Sequence, residues 1–250
     1  MKKRKNSSSL IALIVVVALL GVISVIYASD ESWGKGDEKP AKVGSLLVNY
    51  KPPLLGKPLS RIGGGTRGTW NNKLLLVALV PDHVGLSTNA QPSLCWFIGK
   101  ATDMRVQLTL NSPESDKPIL EKPMDVSEGG GVRCENLTAD GITLEPDTEY
   151  QWYVSIVQDP QNRSKDITCS GHVKYAEPSK GVAYKLSFMK GAEAVAAYAG
   201  EGYWYDAIGL VSQLIEKAPA DRTLHEIRAQ LLDQAGLKNV SRFDRKLTVN

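Results

Sequence analysis

The sequence is poor in the residues that announce chemistry. Its three histidines, His83, His172 and His225, stand far apart. It contains no H-E-x-x-H run, paired-cysteine zinc pattern, EF-hand loop or G-x-S-x-G. Three cysteines, Cys95, Cys134 and Cys169, are too few for a disulfide scaffold and none forms C-x-x-C. S-x-x-K occurs as Ser32 with Lys35 and as Ser187 with Lys190, but S-D-N and K-T-G are absent. The second follows an alternation of Val182, Tyr184, Leu186 and Phe188 that reads as a strand, where a spacing of three separates the faces. The same spacing argues against a Cys169–His172 pair. No catalytic residue, cofactor or metal site is expected, and the chain is read as a non-enzyme.

Charge of one sign is also scarce. The formal net charge is +3, yet four of the 30 basic residues are Lys2, Lys3, Arg4 and Lys5. The remainder holds 26 basic against 27 acidic residues, a net charge of −1. A nucleic-acid partner needs a basic face, so none is expected.

What is present begins at the amino terminus. The cationic start leads into residues 10–26, apolar apart from Ser24 and a glycine. Positive charge stays on the cytoplasmic side, so the body is expected to be periplasmic or otherwise extracytoplasmic. Residues 1–28 are a signal peptide cut after Ala28 or, uncut, an inner-membrane anchor. In that compartment disulfides are permitted, and an odd count leaves a free thiol or an intermolecular bridge. Cys95 lies in a strand-like run and reads as a small buried residue; a bond between Cys134 and Cys169 stays open.

Residues 29–60 combine Gly34, Gly36, Gly44 and Gly56 with Pro40, Pro52, Pro53 and Pro58, and read as a flexible linker. The block 61–70 matches G-x-G-x-x-G through Gly63, Gly65 and Gly68. A dinucleotide site needs a strand before it and a helix after it, and neither is expected here. Turns with positive φ are the default, with an anion nest helped by Arg61 and Arg67 as the alternative.

From 74 to about 174 the apolar period is two. Leu94, Trp96 and Ile98 share one face, as do Met104, Val106, Leu108 and Leu110. Tyr150, Trp152, Val154 and Ile156 form another stripe, followed by Ile167, Cys169, Gly171, Val173 and Tyr175. Leu144-x-Pro146-x-Thr148-x-Tyr150 is similar to the tyrosine corner of fibronectin type III domains. The expected fold is therefore mainly β: an immunoglobulin/fibronectin III-like antiparallel β-sandwich over 61–178, followed by a C-terminal α-helical hairpin within 179–240. Residues 241–250 read as a tail. Helices are expected over 192–199, 203–217 and 223–235, the last opened by a Thr223/Glu226 capping box. A single helical pair cannot bury its own face, so it should pack on the sandwich or on a partner.

Three groups carry further blocks: Lys57-Pro58 with Arg61 to Gly68, Tyr150-Gln151-Trp152-Tyr153 with Asp159 to Ser164, and Tyr203 to Ala207 with Leu231 to Leu237. Together they resemble a bacterial family known as a domain of unknown function, DUF928, over about 51–237. The resemblance implies an exported protein and no assigned reaction.

Candidate binding residues are Arg61 and Arg67, Asp159 and Arg163 in the loop 158–166, and Tyr203 and Trp204. The loop charges read first as a solvated face, and the aromatics first as an anchor of the helical tail. The leading expectation is an envelope interaction or scaffold module with a protein partner, touching membrane only through residues 10–28. A carbohydrate- or peptidoglycan-binding accessory protein is the alternative, and a hydrolase with a dispersed site the third.

Overall fold

Eight strands, with short 3-10 turns at Leu137–Asp140 and Arg163–Lys165 among them, are followed by five α-helices in a computed structural model that describes residues 46–53, 75–126 and 129–247. The strands are β1 (Leu76–Ala78), β2 (Gly85–Ser87), β3 (Ser93–Ile98), β4 (Val106–Asn111), β5 (Leu120–Met124), β6 (Gly131–Asn136), β7 (Glu149–Ile156) and β8 (Ile167–Tyr175). They form two sheets, ordered β1-β3-β6 and β2-β8-β7-β4-β5. All pairings are antiparallel except β2 with β8. The three-stranded and five-stranded sheets make a sandwich, and in sequence order they divide the strands as A-B-E and A′-G-F-C-C′ of an immunoglobulin-like domain would be divided. The expected corner is present: the Glu145 amide donates to the Tyr150 hydroxyl at 3.1 Å.

Period-two alternation explains the core. Leu94, Trp96 and Ile98 of β3, Leu108 and Leu110 of β4, and Trp152, Val154 and Ile156 of β7 are all buried. Trp152 is accommodated because β8 carries Gly171 opposite it; a Cβ there would lie 2.9 Å from the indole. Each such side chain contributes roughly 1.5–3 kcal/mol through burial.

The other face of β3 is buried too. Cys95 and Phe97 point away from the sandwich core, and the Phe97 ring meets Phe243 edge-on at 4.9 Å. The helices cover this face, which makes a third layer. They are α1 (Lys180–Ser187), α2 (Gly191–Gly200), α3 (Trp204–Lys217), α4 (Arg222–Gln234) and α5 (Lys238–Leu247). In α3, Ala207, Ile208, Val211 and Ile215 form the buried stripe. Its first turn is the anchor that the aromatic run suggested. Trp204 Nε1 donates to the Leu79 carbonyl at 2.8 Å. The Tyr205 hydroxyl donates to the His172 carbonyl at 2.9 Å and accepts from Trp152 Nε1 at 2.7 Å.

Several sequence expectations are corrected. Residues 180–187 are helical, not a strand: Ser179 accepts from the Val182 amide as the N-cap, and 182/186 and 184/188 are stacked pairs one turn apart. Asp221, not Thr223, caps α4, accepting from the Thr223 and Leu224 amides. Residues 241–247 continue as α5, because Phe243 packs on the sheet while Ser241 and Asp244 are buried in hydrogen bonds. Cys95 is bonded to Cys134, its direct register partner across β3 and β6, and Cys169 is the free, buried thiol. Part of the linker is a packed strap. The Val48 and Tyr50 amides donate to Gln230 and Gln234 side chains at 3.0 and 2.8 Å, and the Lys51 amide to the Ala199 carbonyl at 3.0 Å.

Candidate functional site

Two open clefts lie side by side along the seam between β6 and α3. The first, of about 330 Å³, is walled by Cys134 and Asn136 of the strand and by Gly209, Gln213 and Glu216 of the helix. The second, of about 360 Å³, continues past Gly131, Val132 and Arg133 towards Ser212, Ile215 and again Glu216. Close approach of the layers depends on Gly209, where a Cβ would come within 3.2 Å of Ser93. Glu216 is exposed and belongs to both clefts, so they read as one groove.

Apart from Glu216, the groove is flanked by ionisable groups held in structural bonds. Asp206 accepts from the Thr88 amide at 2.9 Å and the Thr88 hydroxyl at 2.6 Å. Burial pushes its carboxyl above the usual range against the pull of those donors. Behind the second cleft Asp244 takes a two-pronged contact from Arg228, at 2.7 and 2.5 Å, and faces His225 Nδ1 at 3.3 Å. The other His225 nitrogen meets the Pro219 carbonyl at 3.0 Å. This group ties α4 to α5, and Arg228 also reaches Ser212 of α3 at 3.3 Å. At the strap, His83 lies between Asp82 (3.2 Å) and the Tyr50 hydroxyl (2.8 Å). Burial and then the Asp82 charge push the Tyr50 phenol up, the opposite of what a phenolate nucleophile needs.

The sequence candidates are scattered. Arg61 and Arg67 lie outside the described residues, as do the glycine block and residues 10–26. In the loop 158–166, Asp159 and Arg163 are engaged locally: Lys165 meets Asp159 at 3.3 Å, and Arg163 Nε donates to Asp166 at 2.6 Å. Tyr203 is buried and Trp204 is wholly so, which withdraws their faces from any ligand. Ser187, the serine of the second S-x-x-K, donates to the Tyr184 carbonyl at 2.7 Å at the end of a helix.

Sequence reasoning missed two features. The groove was hidden because Gly131–Asn136 shows no clean apolar alternation. The second is α1 with its C-cap residue Phe188: Tyr184 and Phe188 are 70% and 62% exposed and meet edge-on with ring centres 4.8 Å apart. No residue of α1 is buried, and its link to the body includes Lys185 with Glu201 at 2.6 Å. Among the described residues no helix is long and apolar enough to cross a membrane.

The family model described as Domain of Unknown Function (DUF928) matches residues 62–243, all eight strands and all but the end of the helical layer. The chain belongs to the DUF928 family. No curated protein matches this DUF928 member. Among solved structures it is similar to Astrotactin-2, a vertebrate-specific, perforin-like membrane protein involved in neuronal development, at 12% identity and a TM-score of 0.27. That alignment covers 70% of this chain and 35% of Astrotactin-2, so the chain spans about a third of that protein. It is also similar to a multi-domain immunophilin from Arabidopsis thaliana, at 9% identity and a TM-score of 0.19, covering 81% of this chain and 100% of the other. Neither likeness is close enough to carry an argument about this DUF928 protein.

Proposed function

We propose that this DUF928 protein is a non-enzymatic interaction module of the cell envelope, held at or released from the outer face of the inner membrane, with a protein as its partner. The cationic start and the apolar residues 10–26 support export. The observation that carries the interaction reading is α1. A helix of a lone soluble domain normally buries an apolar stripe, whereas here two large aromatic rings stand in solvent on one helical face. Lys180, Lys185 and Lys190 flank them in sequence, and no acidic residue occurs from 178 to 192. An aromatic pair rimmed by charge has the make-up of an interface centre.

A glycan platform presents rings that share a plane against sugar faces. Tyr184 and Phe188 are inclined at 74°, which favours a protein partner. The experiment is recovery of tagged full-length protein from envelopes in mild detergent, beside a Tyr184→Ser/Phe188→Ser variant. A stoichiometric partner, kept by the parent and lost by the variant, is the expected result. Recovery of both proteins alone, together with binding to purified cell-wall material, replaces this reading with the glycan-binding one.

A further inference from the structure

We propose that the groove between β6 and α3 binds an extended segment of a partner polypeptide, which adds to β6 as a fourth strand of the three-stranded sheet and sets a lysine or arginine against Glu216. The inference rests on the interaction-module reading and names a surface for it separate from α1.

The backbone makes the case first. In an antiparallel pair, alternate residues direct both their N–H and C=O groups away from the partner strand. Cys95 and Cys134 are opposite each other with Cα atoms 4.1 Å apart, the close spacing of a pair that exchanges no hydrogen bonds. The Cys95 carbonyl confirms this, since it accepts from Leu79 at 2.9 Å on the side away from β6. By alternation Val132, Cys134 and Asn136 turn their backbone groups to the free edge. Two of these carbonyls are already engaged: that of Val132 accepts from Arg133 Nη1 at 3.2 Å, and that of Asn136, the N-cap residue, opens the 3-10 turn Leu137–Asp140. The Cys134 amide and carbonyl and the Asn136 amide thus remain for a new strand, at the alternate-residue pitch that it requires.

The other edges are closed to such addition or too short for it. The edge strand β5 carries Pro123 as the fourth of its five residues, which removes a donor and is a common guard on edges. Strands β1 and β2 have three residues each. Strand β6 has six residues and no proline, a length of about 20 Å at about 3.3 Å per residue. It is also the edge with a wall beside it, because α3 runs along the groove and leaves room for side chains in both clefts. Glu216 stands where the clefts meet and has no ion-pair partner among the described residues, so charge complementarity selects a cationic residue there.

The test is to pan a phage-displayed library of linear ten-residue peptides against the full chain in mild detergent, then to synthesise the enriched sequences. Enriched peptides should share a lysine or arginine at one position, and should slow hydrogen exchange at the Cys134 and Asn136 amides. Glu216→Lys, an exposed change that leaves packing untouched, should weaken these peptides roughly fivefold to tenfold and select acidic ones instead. Val132→Pro removes an outward N–H without touching the bonds to β3, and should weaken binding about tenfold where the variant folds. Failure to enrich any sequence, protection that falls elsewhere, or a concentration-dependent dimer protecting the same amides overturns the proposal. If peptides fail while a partner is still captured through Tyr184 and Phe188, the groove assignment falls alone.

Discussion

Cys169 sits on β8 with no exposed surface, and burial pushes its thiol up to about 12. An alkylating reagent at mildly alkaline pH should therefore label no cysteine in the folded protein and one per chain in denaturant, as read by mass spectrometry. A second unlabelled-to-labelled site without reductant would contradict the Cys95–Cys134 bond. Asp206 gives the pH expectation. Its folded carboxyl holds a proton more tightly than the unfolded one, so folding is favoured by protonation. The cost of its ionised form is absent below the unfolded value of about 3.9 and is incurred as pH rises through the raised folded value. In urea titrations across the acid range, wild-type stability should decline with pH over that window relative to Asp206→Asn. Equal slopes would show that Asp206 is not the group responsible. The alternation of β8 already placed Cys169 on the apolar stripe, whereas Asp206 was not legible, because burial of a carboxylate depends on neighbours distant in sequence.

Elements with a clean period were the readable ones. The stripes of β3, β4, β7 and β8 are where the alternation put them, except that Met104, expected at the head of the β4 stripe, precedes the strand and is exposed; α3 and α4 lie within a residue or so of the expected helices. Strand β6 was invisible, and with it the pairing of Cys95, since its leading glycine and mixed polarity give no stripe. Segment 180–187 misled for a different reason: apolar residues at every second position also fall in pairs four apart, and only the cap at Ser179 decides between the two. The disulfide now joins residues separated by 39 positions. Closing such a loop stabilises the fold by about 4 kcal/mol on chain-entropy grounds. Reduction should lower the denaturant midpoint accordingly, with the reduced protein still giving a β-rich spectrum; an unchanged midpoint would remove the disulfide from the account of stability.

For the molecule as a whole, the question is whether sandwich and helices are one body. The described residues fall in a single compact unit, and the sequence could say only that a lone helical pair needs a surface. What it could not show is how deep the attachment goes, with Trp204 and Tyr205 entirely inside and bonded to sandwich backbone. Trp204→Ala should cost about 3–5 kcal/mol and melt β-sheet and helix signals in one transition, read by circular dichroism at two wavelengths. Separate transitions would mean two independent domains. The strap at 46–53 adds a mechanical consequence. It ties the amino-terminal side of the chain to α2 and α4 before the chain reaches β1. A pull from that side is thus taken first by Gln230, Gln234 and Ala199, not by the strand ladder. In single-molecule stretching between the amino terminus and residue 247, the first event should be a small extension at low force as the strap peels, ahead of the main rupture. Gln230→Ala/Gln234→Ala should lower the force of that first event and leave the second unchanged, so that a tethered copy would register tension as a shed strap before it lost its fold.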